Sequence, residues 1–136
     1  MIDALFVLYV ADQEKSTQFY SRVLGRAPDL NVLGMTEFKL NDGSILGLMP
    51  ESGIKRLLGD RLPNPADANG IPRAELYLSV PDADSFHQRA LAAGAVELSA
   101  MELRSWGHHV AYSLDPDGHV LAFCETLQSL CRETYL

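Results

Sequence analysis

Glu75 and Trp106 are the two residues whose chemistry contrasts most with their surroundings in the sequence. Glu75 belongs to a largely apolar run, and a carboxylate that faces an apolar surface needs a cationic or hydrogen-bonding partner. A bound ligand could be that partner, and so could Arg73 or Arg104. Trp106 is the only tryptophan and lies in an irregular stretch, where an indole can offer stacking area to a ligand. We find no nucleophile or second base beside Glu75, so this pattern favours ligand binding over catalysis.

The four histidines have no spacing that is typical of a metal site. His108 and His109 are neighbours at the start of a predicted strand, and because adjacent strand residues point to opposite faces, at most one of them can face a ligand. His87 lies in the middle of a predicted helix, where we expect it on a solvated face. The two cysteines, Cys124 and Cys131, are too few for a disulfide framework and are not spaced as a zinc motif.

Composition and charge restrict the function further. The formal net charge of -7 argues against nucleic acid as a partner, because phosphates require clusters of Lys and Arg. No apolar run approaches the roughly 18 residues that a membrane span needs. The first residues show no basic segment and no cleavage site of a secretory signal. We therefore expect a cytoplasmic protein that binds neither nucleic acid nor a membrane.

The sequence follows one plan twice. A Val-x-Asp motif at Val10 and Asp12 recurs seventy residues later at Val80 and Asp82. Each aspartate is a predicted N-cap of a helix, and each copy continues to a hairpin with an Asp-Gly turn. A repeat of this kind indicates two similar units, neither of which buries its apolar face alone.

The hydrophobic pattern places the elements of both copies. The first copy is predicted to have strands at 4–10, 35–40 and 44–49 and a helix at 15–24. The second is predicted to have strands at 74–80, 96–101, 109–114 and 119–125 and a helix at 82–93. The predicted domain boundaries are 1–49 for the first module, 50–73 for a linker with a helical turn at 54–58, 74–125 for the second module, and 126–136 for a helical tail.

These motifs resemble a known superfamily. The resemblance is carried by Val10-x-Asp12 with Ser16, Phe19-Tyr20 and Leu24-Gly25 behind it, by Val80-x-Asp82, by Trp106-Gly107, and by Asp115-Pro116-Asp117-Gly118-His119. Residues 4–125 are similar to the glyoxalase, bleomycin-resistance and extradiol-dioxygenase superfamily, also called vicinal oxygen chelate. The resemblance implies an α+β fold in which two βαβββ modules form a curved mixed sheet around a cleft, the glyoxalase-like fold. It also implies a homodimer.

The resemblance indicates where a metal would be held. Enzymes of the superfamily typically bind one divalent ion through His and Glu side chains on four strands, and the ion acts as a Lewis acid. By register against the motifs, those four positions carry Leu5, Gly47, Glu75 and Ala122. A single carboxylate does not hold a catalytic metal, since such sites usually have three protein ligands. We therefore expect no metal ligand, no other cofactor and no catalytic residue in this chain.

Without a metal, the cleft implied by the resemblance becomes a binding pocket. Alternation with the four former ligand positions predicts its lining as Glu75, Trp106, Tyr77, His109, Phe38 and Tyr112. Phe38 and Tyr112 could equally be sheet core. We expect a metal-independent protein that binds a small aromatic or cationic molecule in the cleft between the modules. The alternatives are a metal-dependent lyase or dioxygenase of the same superfamily, an enzyme with Glu75 as general base, and a non-catalytic dimeric member.

Overall fold

The protein consists of two compact units, residues 1–69 and residues 70–136. The structure is a computed structural model and describes residues 2–125. Each unit holds a four-stranded mixed sheet with the same topology: in spatial order, the unit's first strand lies beside its fourth, followed by its third and its second. The first strand of each sheet pairs in parallel with the last, and the other pairs are antiparallel. This confirms the predicted α+β fold with two βαβββ modules.

Unit one combines four strands with two α-helices. Its elements are β1 Ala4–Val10, α1 Gln13–Leu24, β2 Leu30–Val32, β3 Met35–Asn41, β4 Ser44–Pro50 and α2 Glu51–Leu58, followed by short 3-10 turns at Gly59–Arg61 and Pro65–Ala68. The strand β2 was not among the predicted elements, because three exposed residues give no periodic signal. The predicted helical turn at 54–58 is the second half of α2.

The helix α1 begins and ends as its sequence predicts. The Asp12 carboxylate accepts a hydrogen bond from the Lys15 amide at 3.0 Å, and Gly25 closes the helix at φ 71°. The helix buries Phe19, Tyr20 and Val23. A buried hydrogen bond of 2.8 Å between the hydroxyls of Thr17 on α1 and Thr36 on β3 ties the helix to its sheet. The helix therefore covers the sheet face that carries Thr36.

Among its described residues, unit two packs one α-helix on one sheet face, as α1 packs in unit one. Its elements are β5 Glu75–Val80, α3 Ala83–Ala92, β6 Val96–Leu103, β7 His109–Leu114 and β8 Val120–Glu125. The ring of Phe123 on β8 lies 6.0 Å from the ring of Phe86 and 6.4 Å from the ring of His87, both on α3. His87 is fully buried, so the expectation of a solvated face was wrong. Its Nε2 atom lies 2.9 Å from a carboxylate oxygen of Glu97.

The N-terminus of α3 is capped by an acid that is distant in sequence. Asp82 occupies the N-cap position, but its carboxylate accepts no capping hydrogen bond and instead accepts one from the Ser85 hydroxyl. The two carboxylate oxygens of Glu125 accept hydrogen bonds from the amides of Asp82 and Ala83 at 2.9 and 2.7 Å. The prediction that Asp82 caps this helix was therefore wrong, because the carboxylate of Glu125 at the end of β8 accepts from the amides instead.

The predicted module boundaries and the predicted C-terminal tail remain predictions. The predicted boundaries are 1–49 and 74–125 with a linker at 50–73. In the structure, the first compact unit ends at Asn69 and the second begins at Gly70. The predicted helical tail at 126–136 and Cys131 lie outside the described residues. Within residues 2–125, none of the helices has the length and apolar character needed to cross a membrane.

Gly118 offers a test of the second unit's framework. It sits in the Asp115–Gly118 turn at φ 87°, and a Cβ there would collide with the carbonyl of Gly70. Gly94 has φ 111°, and a Cβ there would meet nothing within 4 Å. We expect Gly118→Ala to reduce the free energy of unfolding in urea by roughly 2 to 3 kcal/mol and Gly94→Ala by about 1 kcal/mol. If Gly118→Ala and Gly94→Ala reduced the free energy of unfolding equally, the predicted collision of a Cβ at Gly118 with the Gly70 carbonyl would be contradicted.

Candidate functional site

The sheet face of unit two opposite α3 carries two tyrosines, and we call it the tyrosine face. Tyr77 on β5 is in register with Ala122 on β8, which is in register with Tyr112 on β7. Residues in register share a sheet face. Val110, Ala122 and Cys124 form a buried apolar cluster on this face, and Tyr112 packs against it. The tyrosine face therefore combines a cluster of small buried apolar side chains with larger aromatic side chains.

Three rings at this face are joined by hydrogen bonds. The Tyr77 hydroxyl oxygen lies 2.7 Å from Nδ1 of His108, and the indole N–H of Trp106 donates to the same oxygen at 3.1 Å. His108 is buried, whereas Trp106 and Tyr77 are 40% and 36% exposed. The hydrogen bonds thus fix the orientation of two aromatic rings that remain accessible to solvent.

The loop that carries Trp106 and His108 is anchored by Arg104. The Arg104 amide donates to the His108 carbonyl at 2.8 Å, and the Gly107 amide donates back to the Arg104 carbonyl at 3.0 Å. The guanidinium donates to the Val110 carbonyl at 2.8 Å and to the Ser99 hydroxyl at 2.7 Å. Charge-assisted bonds of this kind are stronger than neutral ones. The loop is therefore held to both neighbouring strands.

Glu75 lies on the tyrosine face two residues before Tyr77. The two arginines considered as its partners are engaged elsewhere: Arg104 pairs with Glu102 at 3.2 Å, and Arg73 donates to the Ile71 carbonyl at 3.1 Å. Across residues 2–125, no hydrogen bond or ion pair to the Glu75 carboxylate is found. An exposed and uncompensated carboxylate beside aromatic rings gives this region a negative character.

The electrostatics of the two tyrosines reflect this setting. Partial burial raises the pKa of Tyr77 well above its usual value, and the hydrogen bond from Trp106 opposes that effect. Burial also raises the pKa of Tyr112, and the nearby charge of Glu75 adds to the rise. The guanidinium of Arg104, whose carbon lies 5.0 Å from the centre of the Tyr112 ring, lowers it. Both phenols therefore stay protonated and neutral near neutral pH.

The structure brings together four of the six predicted lining residues. Glu75, Tyr77 and Tyr112 share the tyrosine face, and Trp106 is bonded to its edge. Their roles as ligand contacts stay predictions.

The other two lie elsewhere. Phe38 is fully buried in unit one, two residues from Thr36 and hence on the face under α1. His109 is exposed and lies next to Val110, so alternation turns it away from the tyrosine face.

Sequence reasoning missed His108 as the histidine that contacts Tyr77. The signal was available, because the side chains of a strand alternate with a period of two. His108, Val110 and Tyr112 share one parity, whereas His109 has the other. A prediction that placed Tyr112 at the site should therefore have chosen His108. The contribution of Arg104 could not be predicted, since its bonds reach Ser99 across an irregular register of β6 and β7.

Comparison with known proteins places the chain in a family. The family model of the glyoxalase-like domain matches residues 4–128. The chain belongs to the glyoxalase-like family. This confirms the resemblance noted in the sequence.

Individual relatives are consistent with this membership. The chain is 30% identical over 118 residues to an uncharacterized protein of Mycobacterium bovis, covering 82% of this chain and 75% of that protein. A crystal structure of a glyoxalase-related enzyme from Fulvimarina pelagi superposes with a TM-score of 0.76 at 23% identity, covering 90% of this chain and 86% of that one. A glyoxalase/bleomycin resistance protein/dioxygenase family enzyme from Burkholderia phytofirmans gives 0.73 at 17% identity, covering 93% and 100%. These structures show the fold.

The four positions at which the superfamily's metal ligands are expected do not fit a divalent ion. In unit one, a Cβ at Gly47 would lie 3.1 Å from a methyl of Leu5 and 3.2 Å from the sulfur of Met35, so apolar groups fill this place. In unit two, Glu75 and Ala122 lie on the tyrosine face. Residues 2–125 contain no group of three His, Cys, Asp or Glu side chains that could hold a metal. One carboxylate does not make a metal site.

Tyr77→Phe tests the electrostatics of the face. Because the raised pKa makes folded Tyr77 hold its proton longer than the unfolded chain does, stability is full below about pH 10 and declines as the pH rises further. We expect Tyr77→Phe to reduce this alkaline decline in urea-denaturation measurements. Tyr9→Phe in unit one is the matched control. If Tyr77→Phe and Tyr9→Phe lose stability equally as the pH rises above about 10, the assignment of the alkaline decline to Tyr77 is contradicted.

Proposed function

We propose that this protein binds a small planar cation on the tyrosine face of unit two, without a metal. The observation that carries the proposal is the hydrogen bond between the indole of Trp106 and the Tyr77 hydroxyl. An exposed indole usually rotates between conformers, and fixing it on a ligand costs entropy. Here the protein orients the ring while 40% of the residue stays exposed. The ring is therefore ready for stacking before a ligand arrives.

The charge of the face supports a cationic ligand. Glu75 contributes a carboxylate for which the described part of the chain supplies no ion-pair partner. Glu102, by contrast, is paired with Arg104. A cation gains from the faces of Trp and Tyr rings as well as from the carboxylate. The formal net charge of -7 further attracts cations to the protein.

The residues at the expected ligand positions support metal independence. Leu5, Gly47 and Ala122 have no donor atom in their side chains, which leaves Glu75 alone. Such a residue set supports recognition of an organic molecule by contact rather than chelation of its oxygens. The homodimer and the cytoplasmic location stay predictions.

Truncation of Trp106 tests whether its indole ring stacks on the ligand. We expect Trp106→Ala to weaken binding of planar aromatic cations, such as acridinium or benzamidinium compounds, by roughly 1 to 2 kcal/mol, about tenfold in Kd. Trp106→Phe should lose less, because it keeps an aromatic face. Isothermal titration calorimetry measures both. Binding should survive dialysis against a chelator, and its loss on chelation would contradict a metal-independent site.

Neutralisation of Glu75 tests the charge preference. We expect Glu75→Gln to lower the affinity for a planar cation about tenfold while leaving that for an uncharged aromatic of the same size unchanged. Asp84→Asn is the matched control, because Asp84 is exposed on α3, which covers the opposite sheet face. Equal effects of the two substitutions would show that only overall charge matters. No binding of any planar cation by the unmodified protein would refute the function.

A further inference from the structure

The two ends of the tyrosine face differ in which polar groups already have partners. At one end, which we call the Trp106 end, the Tyr77 hydroxyl is bonded to His108 and to Trp106. At the other end, the Glu75 end, the carboxylate of Glu75 and the hydroxyl of Tyr112 make no hydrogen bond within residues 2–125. Polar groups without a protein partner bond to water or to a ligand. The Glu75 end therefore determines which polar group of a ligand is accepted.

The register of the strands separates these two ends. Val110 on β7 and Ser79 on β5 are both in register with Cys124 on β8, and His108 precedes Val110 by two residues. The loop before β7 therefore lies toward Ser79, at the end of β5 that is remote from Glu75. The four residue steps from Glu75 to Ser79 extend over roughly 13 Å. A ligand that contacts both ends of the face must be elongated.

Tyr112 offers a ligand its hydroxyl rather than its ring. The guanidinium carbon of Arg104 lies 5.0 Å from the ring centre, and the ring also packs against the buried apolar cluster. Burial, and after it the negative charge of Glu75, raises the pKa of Tyr112. The carboxylate therefore lies close enough to the phenol to interact with it, and the phenol keeps its proton near neutral pH. The Glu75 end thus combines a carboxylate with a neutral hydroxyl.

We propose that the ligand is an elongated aromatic amidinium or guanidinium, whose ring stacks on Trp106 and whose N–H groups donate to the Glu75 carboxylate and the Tyr112 hydroxyl. This inference rests on the proposed function and names the chemical class of its cation. A carboxylate only accepts hydrogen bonds, and a phenol oxygen can accept as well as donate. A planar cation with several N–H groups on one edge can donate to two such oxygens at once. An N-alkylated pyridinium has the charge but no N–H, so it would leave both oxygens unpaired.

Three planar monocations test this class by isothermal titration calorimetry. Biphenyl-4-carboxamidinium is elongated and has N–H donors, N-methyl-4-phenylpyridinium has a similar length and no N–H, and benzamidinium has N–H donors but is short. We expect the unmodified protein to bind biphenyl-4-carboxamidinium about tenfold more tightly than either of the others. Equal affinities for the amidinium and the pyridinium of the same length would overturn the inference.

Tyr112→Phe tests the hydroxyl separately from the ring. The variant keeps the ring on which Arg104 lies and removes the acceptor. We expect the affinity for biphenyl-4-carboxamidinium to fall roughly fivefold and that for N-methyl-4-phenylpyridinium to stay unchanged. Tyr9→Phe in unit one is the matched control and should change neither affinity. A Tyr112→Phe protein that loses affinity for both cations equally, or for neither, would also overturn the inference.

The ligand series separates this inference from the proposed function. If N-methyl-4-phenylpyridinium binds through Trp106 and the amidinium of the same length binds no more tightly, the proposed function stands and the inference fails. If none of the three cations binds, both are refuted. Tight binding of biphenyl-4-carboxamidinium that depends on Trp106, Glu75 and Tyr112 supports both.

Discussion

The structure depends on one constraint: in each unit the helix that follows the first strand, α1 or α3, covers only one face of a four-stranded sheet. A strand residue must then lie either under the helix or on the opposite face, and the period of two decides which. Thr36 and Phe123 lie under α1 and α3. Tyr77 and Tyr112 lie on the other face. Each sheet therefore has a second face that α1 or α3 leaves uncovered.

The second unit differs from the first in the side chains that this sheet face carries. Around Gly47 in unit one, the surface is packed with apolar side chains, including Leu5 and Met35. In unit two it carries tyrosines and a loop that Arg104 fastens through its guanidinium. Since the loop is fixed, the indole of Trp106 is fixed with it. Rigid aromatic groups bind with a smaller loss of conformational entropy than mobile ones do.

Membership of the glyoxalase-like family decides the fold and leaves the chemistry to individual side chains. The strand positions that would hold a metal are present in this chain, with the expected alternation. Their side chains are those of Leu5, Gly47, Glu75 and Ala122. The same strands can carry either chelating or aromatic side chains. The choice lies in a few residues, while the apolar pattern beneath the helices stays the same.

The sequence by itself determined the two-unit plan and most strands and helices, because these follow from local periodicity, turn chemistry and repetition. The expected metal-ligand positions came from the resemblance to the superfamily. It also identified Glu75, Tyr77, Trp106 and Tyr112 as chemically distinctive. Only the tertiary structure decided that Glu125 caps α3, that His87 is buried, and that His108 contacts Tyr77. These contacts join residues at least thirty positions apart or depend on how a helix packs on its sheet. A local pattern does not carry that information.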